Sequence, residues 1–166
     1  YWDATSPSAR ATNITAATGT SQPQVAKQIL VSDKDRHVLA FGCDPETNAG
    51  VQDPLLIRFS NQESFTDWAS TADNTAGDLR LGVGTTFVAA VETNRETLVF
   101  TDVSLHSMQF IGPPFTFGIN QIASNTTIMS PNAVEAVQDL VFWMGIEEFY
   151  VYAGNTAKLP CTLRGY

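Results

Sequence analysis

The sequence predicts an all-β protein made of β-propeller blades of antiparallel strands, an incomplete part of a larger propeller. Three observations carry that prediction. Residues 96–112, ETLVFTDVSLHSMQFIG, are echoed at 138–154, QDLVFWMGIEEFYVYAG, so that Leu98, Val99 and Phe100 recur as Leu140, Val141 and Phe142. A repeat of about 40 residues made of strands is the period of propeller blades. The apolar runs are short and bounded by Gly, Pro, Asn and Asp clusters, which is strand-and-turn punctuation. Finally, 166 residues with 43% apolar side chains, including three Trp and ten Phe, can fill a sizeable core.

The blades are expected at residues 24–84, with inserted loops, at 85–125 and at 130–166. Residues 1–23 are expected to end a preceding blade and connect it to the next. The opening Tyr1, Trp2 and Asp3 read as a strand already under way, and 6–24, rich in Ser, Thr, Ala and Pro, as a surface connection. We therefore expect a piece of a longer polypeptide, whose edge strands are covered by further blades of the same chain or of another subunit.

Apolar runs at 25–31 and 37–41 flank Ser32 to Arg36, five residues of which four are charged, and predict a hairpin with a solvated tip. Residues 43–54 hold two prolines and a glycine among acids and amides, a loop. A strand follows at 55–59, and alternating Leu79, Leu81 and Val83 predict an edge strand over 78–83. Strands at 86–91, 97–101, 105–111 and 115–122 come next, with Gly112, Pro113 and Pro114 forcing the turn before the last. The final group is expected at 133–137, 140–144, 149–152 and 157–163. A helix is the rival over 131–137, because Pro131 suits a first helical position; the echo of 87–100 favours strand.

Composition bounds function. Seventeen acidic against nine basic side chains give a net charge of −8, which repels polyanions and excludes a dedicated nucleic-acid binder with its basic stripe. No apolar run is long enough for a helical membrane span. Cys43 and Cys161 lack the spacing of a zinc or redox motif and read as buried free thiols, although whether they pair is not legible.

Few residues invite chemistry. Asp44, Glu46 and Asp53 offer oxygens to a calcium ion, but the spacing of a calcium-binding loop is missing and a solvated loop is the expected reading. Asp102, Ser104 and His106 alternate along one strand, where side chains two apart stand about 6 to 7 Å apart, too far for a hydrogen-bonded triad. His37 and His106 have no metal-ligand spacing and are expected at the surface or an interface. Glu147 and Glu148 are expected on opposite faces of a strand, which prevents them from acting as a glycosidase pair. No catalytic, cofactor-binding or metal-binding residue is assigned, and no cofactor is expected.

Two resemblances add to this reading. Residues 60–68, SNQESFTDW, resemble the Asp box of sialidase-type propellers, with Gln62 in place of the Asp, Ser64 in place of the Gly and one extra residue before Trp68. Such a box is structural: side-chain oxygens satisfy a tight turn while the indole anchors a corner. Trp68 and Trp143 are both expected to be buried between sheets. Second, YWDATS at 1–6, DPLLIRFSNQESFTDW at 53–68, NTAGDLRL at 74–81, ETLVFTDVSLHSMQFIGPP at 96–114 and SPNAVEAVQDLVFWMGIEEFYVYAG at 130–154 resemble the bacteriophage tail nozzle, or tail tubular, virion proteins. The resemblance implies a propeller segment of a non-enzymatic virion structural protein, a wall element of the tail through which the genome passes. It also implies other copies of itself in a ring, adjacent tail or portal-adaptor proteins as partners, and a location in the virion. The alternative is a carbohydrate-binding or glycoside-hydrolysing propeller.

Overall fold

The computed structural model describes residues 5, 8–13 and 21–160. Twelve strands occupy them: β1 (Gln28–Ser32), β2 (His37–Phe41), β3 (Leu56–Phe59), β4 (Gly77–Arg80), β5 (Phe87–Glu92), β6 (Thr97–Thr101), β7 (Ser104–Gly112), β8 (Thr116–Ser124), β9 (Val134–Val137), β10 (Leu140–Met144), β11 (Phe149–Tyr152) and β12 (Thr156–Leu159). They form three four-stranded sheets, each in sequential order, β1 to β4, β5 to β8 and β9 to β12. Sequential antiparallel pairing is what short polar turns between strands dictate, because a hairpin needs only a few residues whereas a parallel return needs a crossover.

The chain divides into two compact units, residues 1–78 and 79–166, with the boundary inside β4. In the first unit β1 and β2 pair from Gln28–Phe41 to Ser32–His37, closing over a charged turn in which Arg36 takes φ 60°. One face of this sheet carries Ala40 and Leu56 into a core with Cys43 and Trp68. Gly77 approaches the ring of Phe59 so closely that a Cβ there would lie 2.9 Å from it.

In the second unit the sheets β5–β8 and β9–β12 share a core. Ala89, Leu98, Phe100 and Leu105 from the first meet Val141, Trp143 and Tyr152 from the second. Phe100 meets Trp143 edge-on at 5.2 Å, and Trp143 stacks on Tyr150 at 5.2 Å and 11°. Hairpin β7–β8 outgrows its sheet. The β6–β7 ladder ends at Thr97–Met108, whereas β7 and β8 stay paired as far as Gly112–Thr116.

The expected propeller is not formed. The three sheets are separate, and none closes into a barrel or propeller. Strand alternation and turn residues specify sheets, which are indeed all-β and antiparallel. Closure depends on how whole sheets are set against one another, and no local period encodes it. Smaller differences concern bounds: β1 begins at Gln28, and β4 ends at Arg80 with Leu81 buried beyond it. Residues 134–137 are strand, held by Val141–Ala136 and Trp143–Val134 pairing, which excludes the helix. The strand expected at Tyr1 to Asp3, and Cys161, lie outside the described residues.

Candidate functional site

The acidic side chains that invited chemistry are occupied by the backbone around them. Asp44, wholly buried, accepts from the amides of Gln24 and Val25 with one oxygen at 2.9 Å and from Gly50 with the other at 2.8 Å. Those amide bonds hold its carboxyl below the usual range although burial acts in the opposite direction. Asp53 caps the amide of Leu55, and Glu46 accepts from the Ser21 hydroxyl and the Ser70 amide. The three carboxylates thus tie down loop 43–53, and among the described residues no group of three His, Cys, Asp or Glu is placed to hold a metal ion.

The Asp102, Ser104 and His106 trio is likewise not brought together. Asp102 turns to the amide and hydroxyl of Thr85, at 2.8 and 2.7 Å, and its pKa is lowered by those bonds. Ser104 sits 2.6 Å from the Thr101 hydroxyl and donates to the Val83 carbonyl at 3.2 Å. His106 is buried, with no partner for Nδ1. His37 is buried too, its Nδ1 2.7 Å from the Ser60 carbonyl. Both histidines were expected at a surface or interface. Each instead sits inward on a strand whose alternate positions are core, and burial lowers the pKa of both. Glu147 and Glu148 lie in the turn between β10 and β11, not on a strand, and Glu148 pairs with Lys158 at 3.7 Å.

The turn at 60–68 is closed by side-chain oxygens. Asn61 Oδ1 accepts from the Gln62 and Thr75 amides and the Thr75 hydroxyl, and Ser64 Oγ accepts from the amides of Thr66 and Asp67. Trp68 is buried and donates Nε1–H to the Phe65 carbonyl at 2.8 Å. Cys43 is buried beside it as a free thiol, its pKa pushed up to about 12 chiefly by burial.

Two residues escaped the sequence reading. Arg58, in the apolar strand β3, is buried and donates to the carbonyls of Ser21, Asp44 and Trp68; a lone cation inside Leu-Ile-Arg-Phe was the available signal. Glu96 accepts from Ser107, from Gln109 at 3.2 Å and from the Tyr152 hydroxyl at 2.6 Å, joining β7 to β11. Nothing in its local sequence marks it, since its partners are remote in the chain.

The surface feature with functional content is the outward face of sheet β9–β12. Register places Val137 opposite Leu140, Phe142 opposite Glu135 and Val151, and Met144 opposite Phe149, all on one face. Val137 is 56% exposed, Leu140 41%, Phe142 38%, Met144 36% and Phe149 49%. Glu135 is the one charged side chain among the described residues on this face. The repeated triplet makes the exposure informative, because Leu98 and Phe100, in the same place on the second strand of their sheet, are wholly buried under Trp143. No protein-family model and no curated protein matches the chain.

Proposed function

We propose that the chain is a non-enzymatic structural protein of the virion, a wall element of a phage tail nozzle or tube through which the genome passes. In this reading it works beside further copies of itself in a ring and beside adjacent tail or portal-adaptor proteins. The observation that carries the proposal is the outward face of β9–β12. A protein that works by assembly keeps apolar surface for its neighbours, whereas an enzyme gathers polar groups around a reacting atom. Stretches 96–114 and 130–154, which resemble tail nozzle proteins, supply β6, β7 and the three strands β9, β10 and β11 of that face. The net charge of −8 suits a wall that does not grip a polyanion passing through it.

Immunogold labelling of purified tailed particles with an antibody raised against the chain tests the reading. Label on the tail is expected. Unlabelled particles, with the chain recovered only from the soluble fraction, would overturn it. Filter binding is expected to show no salt-dependent retention of duplex DNA near neutral pH. The rival glycan-binding role would use an accessible indole platform, and the two indoles among the described residues, Trp68 and Trp143, are both buried.

A further inference from the structure

We infer that the tip of hairpin β7–β8, Ile111 to Phe115, inserts into the interface of a lipid bilayer, a role that goes beyond that of a wall element and does not depend on it.

The sequence sets this hairpin apart. From Val103 to Val134 there is no Asp, Glu, Lys or Arg, in a chain whose side chains are 16% charged. That stretch supplies β7, β8 and the segment leading to β9. Pairing of β7 with β6 stops at Met108, while β7 and β8 continue to Gly112–Thr116, so the tip extends past its sheet. Ile111 is 57% exposed and Phe115 73%, the highest value for a large apolar side chain among the described residues. Behind them Phe110 and Phe117 meet edge-on at 5.6 Å and brace the two strands.

The chemistry of the tip suits lipid. Ile111, Gly112, Pro113, Pro114 and Phe115 carry no polar side chain. Pro113 and Pro114 bring no N–H, and the Phe115 carbonyl accepts from the Phe117 amide at 2.7 Å. Few backbone groups are therefore left to desolvate, which is the main cost of taking a turn out of water. A protein pocket fixes its ligand with a few placed polar groups. These side chains offer it none, and a bilayer interface asks for none. Charge sets the depth. Glu96 is the carboxylate bonded to the hairpin, accepting from Gln109 at 3.2 Å. Gln109 lies about 13 Å from Pro113 at the rise of a strand, whereas interfacial segments enter by about 5–10 Å. The tip thus reaches the acyl boundary with Glu96 still in water. With −8 on the chain and no basic side chain in the hairpin, the attraction is apolar, and anionic headgroups oppose it.

Flotation of the whole chain with phosphatidylcholine vesicles tests this. Two large side chains hold less firmly than a myristoyl chain, whose binding constant is about 10⁴ M⁻¹, so half the chain is expected to float at lipid on the order of millimolar. Replacing a third of the lipid by phosphatidylserine is expected to weaken binding several-fold at low salt and less at high salt. Phe115→Asp and Ile111→Asp, with unchanged circular-dichroism spectra, are expected to lose binding about ten-fold or more. Leu140→Asp, on the outward face of β9–β12, is expected to float as the parent does. Phe115→Trp is expected to float and to show a blue-shifted emission, absent from the parent, that lipid brominated on the upper acyl chain quenches. A parent that does not float, binding that requires anionic lipid, tip variants that float like the parent, loss of flotation on Leu140→Asp, or a Phe115→Trp emission that vesicles leave unchanged would each overturn the inference. The first of these would mark the tip as a protein contact. Particle labelling reads the wall role separately, whichever way flotation falls.

Discussion

Trp143 is held on two sides, by the edge of Phe100 and the face of Tyr150. Truncating a buried aromatic costs about 3–5 kcal/mol, a large part of the roughly 5–15 kcal/mol that stabilises a domain. Trp143→Ala is therefore expected to lower the unfolding free energy of the second unit by that amount, read by urea titration of far-UV circular dichroism. A change below about 1 kcal/mol would show that the indole is not an anchor. The two histidines make an acid-side prediction. Burial holds their folded pKa values below the ordinary histidine value of about 6.5, so the unfolded chain takes up the protons first as pH falls. Their effect on stability is absent well above pH 6.5 and destabilising below it. Melting temperature should fall between about pH 7.5 and 5.5, and His106→Gln should flatten that decline. Tyr152 gives the alkaline counterpart. Burial and the Glu96 carboxylate raise its pKa from 10.0 to about 12, so its stabilisation is complete below pH 10 and lost as pH rises through 12. Tyr152→Phe should remove that part of the alkaline loss.

At the scale of the element, strand β10 offers a single contrast within three residues. Val141 faces the shared core and Leu140 and Phe142 face outward, although all three are apolar. Val141→Asp buries an unpaired carboxylate and is expected to cost several kcal/mol, about 3 or more, whereas Leu140→Asp should change stability by about 0.5 kcal/mol or less. Equal effects, in the same urea titration, would mean that the strand is covered on both faces in the isolated chain. This strand also marks the limit of sequence reading. The Leu-Val-Phe repeat located β6 and β10 correctly, because alternation and turn residues are local. It said nothing about which copy of the triplet is covered, since coverage depends on a neighbouring sheet. The burial of His37 and His106, expected at a surface or an interface, has the same reason: which face of a strand is covered depends on what packs against it. Glu147 and Glu148 fell in a turn because β10 ends at Met144, and strand ends are weakly encoded.

For the whole molecule, the chain forms three separate four-stranded antiparallel sheets and not the expected propeller, which separates what a repeat specifies from what it does not. Each four-stranded sheet is written into the chain by its turns; the arrangement of sheets is left to surfaces distributed over many residues. The division into two units, with Trp68 in the core of the first and Trp143 in that of the second, makes unfolding a test of that organisation. Two transitions are expected, with Trp68→Ala lowering one and Trp143→Ala the other. A single transition shifted equally by both substitutions would show that the units unfold as one.

The outgrowth of hairpin β7–β8 beyond β6 has a kinetic side. Along β7 the residues up to Met108 are flanked by strands on both sides, and those from Gln109 to Gly112 by β8 alone. Opening the outer part breaks one ladder, while opening the inner part requires the sheet itself to come apart. Amide exchange should therefore slow by orders of magnitude from Gly112 back to Leu105, so that one continuous strand spans the range from local fluctuation to unfolding of its sheet.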